Sequence, residues 1–248
     1  MKYILCTILI FTLNTVSFGA YTFNGTNAYV ETNETAGLYL PDGDWTIAVK
    51  AQVPNNAGTN NKFIYNTLAG DFPASGNIDQ YIVQDSHPTT DSRGDLWTDV
   101  SDDGGDTFGD FGSGDTPPFT GNTAWTQVIL QRSGNTVTQY VGSTTGRGSF
   151  TNASFDGVTP TGMHIGARYD LDSTRFFSGN IAELAIWNRA LNTAEMDGII
   201  DGMSPACYIR GLQFYMPMIR EYAEYQSRAT VTNHGSGVGS HPRVFYPN

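Results

Sequence analysis

The residues most able to do chemistry are six aspartates in one glycine-rich segment, residues 99–115. Calcium is held in proteins by about six to eight oxygen atoms from carboxylates and backbone carbonyls, which a glycine-rich backbone can arrange around the ion. The segment lacks the closing Glu of an EF-hand loop, and the alternative is a solvated acidic loop that keeps the protein soluble. We therefore expect calcium as a cofactor. The candidate ligands come from this segment and from a second acidic turn: Asp99, Asp102, Asp103, Asp106 and Asp172.

Other residues have the chemistry of carbohydrate recognition. Sugar-binding sites stack a sugar ring on an aromatic side chain and fix its hydroxyl groups with carboxylates, amides or arginines. Three polar stretches combine such groups, and in one of them Trp97 can be interpreted either as an exposed platform or as a core strand residue. The candidate glycan-binding residues are Trp97, His87, Arg93, Arg168, Tyr169 and Asp170.

These residues must be positioned by strands, because alternating apolar residues run through most of the chain. Residues 45–53 alternate in the manner of a half-buried strand, and residues 125–132 and 135–141 form a predicted hairpin around Ser133-Gly134. Asn24-Gly25 predicts a turn. Three tryptophans lie in strong strand patterns and are expected in the core: Trp45, Trp125 and Trp187.

One helix is predicted. Asn192 with Glu195 three residues later has the spacing of a capping box, in which each residue satisfies a backbone N–H of the other. The helix should end near Gly202. Many strands and a single helix indicate two packed antiparallel sheets.

One stretch resembles the closing strand of the laminin G-like, concanavalin A-type jelly roll: Phe177-Ser178-Gly179-Asn180-Ile181-Ala182-Glu183-Leu184-Ala185-Ile186-Trp187-Asn188-Arg189-Ala190-Leu191. The resemblance extends over about residues 21–200. It implies an all-β, two-sheet antiparallel jelly-roll sandwich with one short C-terminal helix and a C-terminal strand or extended tail. The expected domain covers residues 20–203, with a tail at 204–248. Ala182 stands where the family often has Asp, which weakens the case for any family metal site that uses that carboxylate.

The tail carries a second resemblance. Residues 211–220 predict an edge strand because of Pro217, and the terminus His241-Pro242-Arg243-Val244-Phe245-Tyr246-Pro247 is similar to tails that follow this jelly roll in phage and prophage proteins. Two interpretations stay open. The tail either lies over its own sandwich or docks on a neighbouring subunit.

Catalysis is disfavoured by the residues that are missing. Glycosidases of this fold carry E-x-D-x-x-E on one strand, which supplies a nucleophile and an acid about 5–5.5 Å apart. The sequence lacks that motif, and His87 and His164 have no nucleophile motif beside them. We expect no enzyme activity, and a glycoside hydrolase is the least favoured function.

Composition limits the partners and the compartment. A net charge of −11 offers no basic face for nucleic acid. Residues 1–19 resemble a secretory signal peptide, and the chain is expected to be secreted with no stable membrane span after its removal. Cys207 is then the lone cysteine, either paired with a partner chain or a small buried apolar residue.

Together these features predict a non-catalytic recognition module that is extracellular or on a particle surface. Its partner is expected to be a surface glycan, bound through jelly-roll rim loops in the manner of a lectin or adhesin. The alternative is a structural subunit of a virion, filament or surface layer. In that alternative the protein forms a homo-oligomer, and the tail docks on a neighbour.

Overall fold

The computed structural model describes residues 20–32, 43–52, 62–68, 79–84, 96–101, 125–151, 162–168, 170–218 and 231–234. The predicted signal peptide, residues 1–19, lies outside this part of the chain. The described strands form two antiparallel sheets. The predicted fold class is confirmed.

The first sheet has seven strands and contains both the first strand and the closing strand. Its order is β1, β11, β3, β7, β8, β9, and β12 pairs with β11 on the same side as β1. The strands are β1 Tyr21–Asn24, β3 Trp45–Gln52, β7 Thr126–Ser133, β8 Thr136–Val141, β9 Gly146–Thr151, β11 Ser178–Trp187 and β12 Leu212–Met216.

The second sheet has six strands in the order β13, β2, β10, β4, β5, β6. These are β2 Tyr29–Thr32, β4 Lys62–Leu68, β5 Asp79–Gln84, β6 Leu96–Ser101, β10 Gly162–Ile165 and β13 Val231–His234. Within the predicted tail, β12 therefore extends one sheet of the same chain and β13 extends the other.

The apolar core lies between the two sheets. It combines inward residues of both, so that neither sheet buries its apolar face without the other. Its largest fully buried members include Trp45, Tyr21, Tyr65, Phe23 and Phe214.

Asn24-Gly25 forms the predicted turn, and the turn moves the chain from one sheet to the other. The Asn24 side-chain oxygen accepts from three backbone N–H groups, those of Thr26, Asn27 and Ala28, at 3.0–3.1 Å. The Gly25 N–H donates to the Phe177 carbonyl at 2.8 Å. β1 and β2 therefore join different sheets and do not form a hairpin.

Helix α1, Thr193–Ile200, begins with the predicted capping box of Asn192 and Glu195. The helix covers one half of the outer face of the seven-stranded sheet, where it packs on Trp187, Ile129 and Ala185. A 3-10 helix, Pro205–Cys207, follows it. In the described part of the chain no helix has both the length and the apolar character needed to cross a membrane.

Three sequence expectations about burial have different outcomes. Trp45 and Trp187 are fully buried, as predicted. The core prediction for Trp125 is wrong, because this residue, immediately before β7, is only half-buried. Cys207 is exposed and is therefore not a small buried apolar residue.

Gly166 sets the close approach of the two sheets at one end of the sandwich. It has φ +84, and a Cβ atom there would lie 2.3 Å from the Phe23 ring. Phe23 belongs to β1 in the opposite sheet and is itself buried. Only glycine meets both the backbone and the packing requirement at this position.

We predict that Gly166→Ala destabilises the protein by several kcal/mol, since backbone strain of about 1–2 kcal/mol adds to overpacking of about 1–3 kcal/mol. Gly134→Ala is the matched control, because Gly134 also has a positive φ (+59) but faces open space. Urea unfolding of both variants measures the difference. Equal losses of stability would show that the Phe23 contact does not matter.

Candidate functional site

The loop between β10 and β11, residues 166–177, carries four charged side chains: Arg168, Asp170, Asp172 and Arg175. Its two ends are tied together, because the Phe177 N–H donates to the Gly166 carbonyl at 2.9 Å. The Gly166 N–H donates to the Ile64 carbonyl of β4 at 3.0 Å. The loop is therefore anchored to the six-stranded sheet at its base.

Aromatic rings form the floor under this loop. The Tyr29 ring lies 5.0 Å from the His164 ring and 5.9 Å from the Phe176 ring, between ring centroids. All three side chains are nearly buried. The His164 Nδ1 atom lies 3.0 Å from the Arg168 carbonyl oxygen, which can only accept, so Nδ1 carries the proton and holds the start of the loop.

The loop contains two pairs of an arginine and an aspartate. Arg168 Nη1 lies 3.6 Å from Asp170 Oδ2, and Arg175 Nε lies 4.0 Å from Asp172 Oδ2. Lys62 reaches the loop from β4 and donates to the Thr174 carbonyl at 2.7 Å. The arrangement presents charged donors and acceptors on a backbone that is fixed at both ends.

Asp172 is held in its ionised form by local hydrogen bonds. The backbone N–H and the hydroxyl of Thr174 both donate to Asp172 Oδ1 at 2.9 Å, and they lower the pKa of this carboxyl. The pKa of Lys62 is lowered, first by burial and then by the nearby Arg175 guanidinium. Asp172 therefore stays ionised to a lower pH than an unperturbed aspartate.

Leu171 marks the tip of the loop. It has φ +54, which is unusual for a residue other than glycine, and its side chain is 38% exposed. Strained backbone of this kind is concentrated at binding and catalytic sites. An apolar group is thus presented between the two aspartates that flank it.

Strand pairing brings further predicted residues to the same sheet. Directly opposed positions form one row across all six strands, and opposed positions share one face of a sheet. The row is Thr232, Glu31, His164, Asn66, Tyr81 and Asp99. With strands about 4.8 Å apart, the row is about 24 Å long.

The predicted site residues thus divide into three groups. Arg168, Asp170 and Asp172 come together in the loop, where their contacts link them. Trp97 and Asp99 lie two residues apart on β6, at the edge of the same sheet, three strands from β10. The rest lie outside the described residues: His87, Arg93, Tyr169, Asp102, Asp103 and Asp106.

Several site residues had no signal in the sequence. Lys62 is 112 residues from its partner Thr174, and Tyr29 and Phe176 meet only because β2 and β10 are neighbours. Arg175 could have been found, since it follows Asp172 at a spacing of three. Within the described ranges, no three His, Cys, Asp or Glu side chains lie together as metal ligands. The calcium prediction stays a prediction.

A second charged cluster lies on the other sheet, where β11 contains a bulge. Ala182 pairs with Lys50 and Ala185 with Ala48, so one residue of β3 faces both Glu183 and Leu184. Glu183 has φ +53 and is 8% exposed. The bulge directs its carboxylate towards the segment that follows helix α1.

Tyr215 links this carboxylate to that segment. Its hydroxyl donates to Glu183 Oε1 at 3.0 Å and lies 2.9 Å from the Ser204 hydroxyl. Burial raises the pKa of Glu183, against the opposing effects of the Tyr215 hydrogen bond and the Lys50 charge. Burial and the Glu183 charge raise the pKa of Tyr215. The cluster fastens β12 to β11 by side chains as well as by backbone pairing.

The chain belongs to the concanavalin A-like lectin/glucanases superfamily, whose family profile matches residues 24–197. No curated protein matches the sequence.

Solved structures share the fold at low sequence identity. A Bacteroides ovatus protein that is proposed to bind carbohydrate is 17% identical, with a TM-score of 0.57 over 92% of this chain and 59% of its own. The chain thus spans less than two thirds of that protein. Domain 4 of an extracellular GH43 arabinanase from Geobacillus stearothermophilus, in complex with arabinotriose, is 20% identical, with a TM-score of 0.49 over 71% of this chain and 73% of its own. A heptameric SAP-like pentraxin from Limulus polyphemus is 15% identical, with a TM-score of 0.48 over 89% and 95%.

We predict opposite pH dependences for two glutamates on the seven-stranded sheet. The pKa of Glu183 is raised above 4.5, so its ionisation costs stability, which falls as pH rises from 4.5 through the folded-state pKa. The pKa of Glu195 is lowered by Arg189, which it meets in two hydrogen bonds of 2.7 Å. Its stabilisation is present above pH 4.5 and is lost as pH falls through the folded-state pKa.

Urea unfolding of Glu183→Gln and Glu195→Gln from pH 3 to 7 measures both effects. The stability of the wild type relative to Glu183→Gln should decrease as pH rises. The stability of the wild type relative to Glu195→Gln should increase with pH, and the difference in unfolding free energy should reach about 1 kcal/mol at neutral pH. Slopes of the same sign for both variants would contradict the assignment.

Proposed function

We propose that this protein is a non-catalytic carbohydrate-binding module, secreted or displayed on a particle surface. The glycan binds at the 166–177 loop and along the adjoining face of the six-stranded sheet. The observation that carries the proposal is the loop itself. It brings together two ion pairs, Arg168 with Asp170 and Arg175 with Asp172, next to a cluster of aromatic rings.

The chemistry of the loop matches that of a sugar. Sugar hydroxyls donate and accept hydrogen bonds at fixed spacing, and guanidinium and carboxylate groups are strong partners for both functions. Leu171 supplies an exposed apolar surface beside them, suited to the C–H face of a sugar ring. The loop ends are bonded to the sheet, so little conformational entropy is lost on binding.

The same geometry disfavours glycoside hydrolysis. A hydrolase needs one carboxyl that holds a proton for the leaving group and a second that attacks or activates water. Asp172 is held ionised by Thr174 and lies beside Arg175, so it is a poor proton donor. Asp170 lies beside Arg168 and accepts from the Asp172 N–H, a binding arrangement.

Family membership supports the proposal, because the superfamily is one of lectins and glucanases. The absence of E-x-D-x-x-E from the sequence favours the lectin side. Calcium is a further proposal for the acidic segment 99–115. A loss of glycan affinity or thermal stability in chelator would support it, and indifference to chelator would contradict it.

The structural-subunit alternative rests on residues 204–248. Strands β12 and β13 of this segment pair with β11 and β2 of their own chain. The described strands of the tail thus dock on their own chain, which favours the recognition module over the subunit, and residues 219–230 and 235–248 lie outside the described residues. Light scattering on the full chain separates the two, since a stable higher oligomer would favour the subunit.

We predict that Arg168→Ala weakens glycan binding by about 10- to 100-fold, since a hydrogen bond to a charged group contributes about 1.5–3 kcal/mol. Arg210→Ala is the matched control, because Arg210 is an exposed arginine beside β12 in the other sheet. Glycan-array screening followed by titration of the strongest ligand measures both variants. Unchanged binding by Arg168→Ala, or an equal loss in the control, would contradict the proposed site.

A further inference from the structure

We propose that a second carbohydrate site lies on the outer face of the seven-stranded sheet, beside helix α1. This inference rests on the proposed function in that it assumes a glycan-binding chain, but it uses another sheet and other residues. The ligand class is an uncharged oligosaccharide. The site is formed by Thr22, Asn180, Gln52 and Trp125.

Three of these residues form a directly opposed row. Asn180 of β11 pairs with Thr22 of β1 on one side and with Gln52 of β3 on the other. The Thr22 hydroxyl donates to Asn180 Oδ1 at 2.7 Å, and Asn180 Nδ2 donates to Gln52 Oε1 at 2.6 Å. Both hydrogen bonds are donated in the same direction along the row, from the Thr22 hydroxyl towards the Gln52 amide.

Trp125 extends this row to a fourth strand position. Thr126 of β7 pairs with Ala51, so the preceding residue, Trp125, falls opposite Gln52. Its side chain is half-buried, whereas Trp45 and Trp187 are fully buried. An amphipathic ring with one accessible part is the aromatic surface on which sugar rings stack.

The two halves of this outer face differ in how far they are covered. The half under helix α1 is covered, with Ala48, Ile129 and Ala185 buried beneath the helix together with the polar side chains of Thr46 and Gln131. The other half carries interlocked polar side chains that are partly exposed at Asn180 and Gln52. Side chains already held at 2.6–2.7 Å lose little rotamer entropy when a ligand arrives.

Charge on this face favours an uncharged ligand. The next row contains Lys50, which pairs with Ala182 and Gln127. The Glu183 charge acts on Lys50 and opposes the lowering of its pKa by burial. Since the cation and the carboxylate offset each other, an acidic or a basic glycan gains no net attraction.

The two sites face away from each other. One belongs to the outer face of each sheet, and packed sheets are about 10 Å apart. A single chain can therefore hold two glycan segments at once. Such a chain would bind a polysaccharide surface with an avidity greater than either site gives alone.

The test uses the full chain and a panel of soluble neutral polysaccharides: a glucan, a galactan, a mannan and an arabinan. Affinity electrophoresis selects the polymer that retards the protein, and calorimetric titration with its hexasaccharide counts the molecules bound per chain. The row variant carries both Gln52→Ala and Asn180→Ala, and the loop variant carries Arg168→Ala. Arg210→Ala is the control, and Trp125→Phe is a milder second test of the row.

We expect two hexasaccharides per wild-type chain and one for either variant. Two sites in the row variant, or a single wild-type site that only Arg168→Ala removes, would overturn the inference and leave the proposed function intact. A single wild-type site that only the row variant removes would support the inference and refute the loop site. If no neutral polymer binds, the inference is wrong, and the loop site is judged by the glycan-array screen.

Discussion

The structure depends on the pairing of one strand, β11, along both of its edges. Strand β3 occupies one edge, while β1 and β12 share the other. The first described strand and a strand from the C-terminal segment thus close the same sheet side by side. The bulge at Glu183 lies at the junction, between the part of β11 that pairs with β1 and the part that pairs with β12. Its carboxylate is bound by Tyr215, which makes the junction a side-chain contact as well as a break in register.

The loop that carries the proposed site is controlled by contacts between the sheets. Gly166 begins the loop and packs against Phe23 of the opposite sheet, and Phe177 ends it next to the same ring, with ring centroids 6.1 Å apart. The core therefore determines where the loop leaves the sandwich. The floor of Tyr29 and His164 then determines how the loop lies on the outer face. Binding residues on a loop gain precision from this rigid support, which is how a β-sandwich presents a recognition surface.

Polar groups on both outer faces share one physical basis. Alternation along a strand sends every second residue outward, and pairing aligns the outward residues of neighbouring strands into rows. On one face the row passes through Glu31 and His164, and on the other through Asn180 and Gln52. A row across strands repeats donors and acceptors at intervals of about 4.8 Å on a rigid backbone. Such rows suit an extended polymer of hydroxyl groups, which is the physical basis of both proposed sites.

Local features of this protein were determined by the sequence alone. The strand at 45–52, the hairpin around Gly134 and the capping box of Asn192 and Glu195 depend on residues close together in the chain. The sequence also placed Arg168, Asp170 and Asp172 in one polar turn. Tertiary structure decided the rest, because sheet membership and burial depend on which distant strands become neighbours. The tryptophan immediately before β7 became half-exposed, a lysine of β4 bonded to the loop, and a turn dipeptide became a crossing between sheets. Alternation shows that successive residues of a strand lie on opposite faces, but only the packing of the sheets decides which face meets the core.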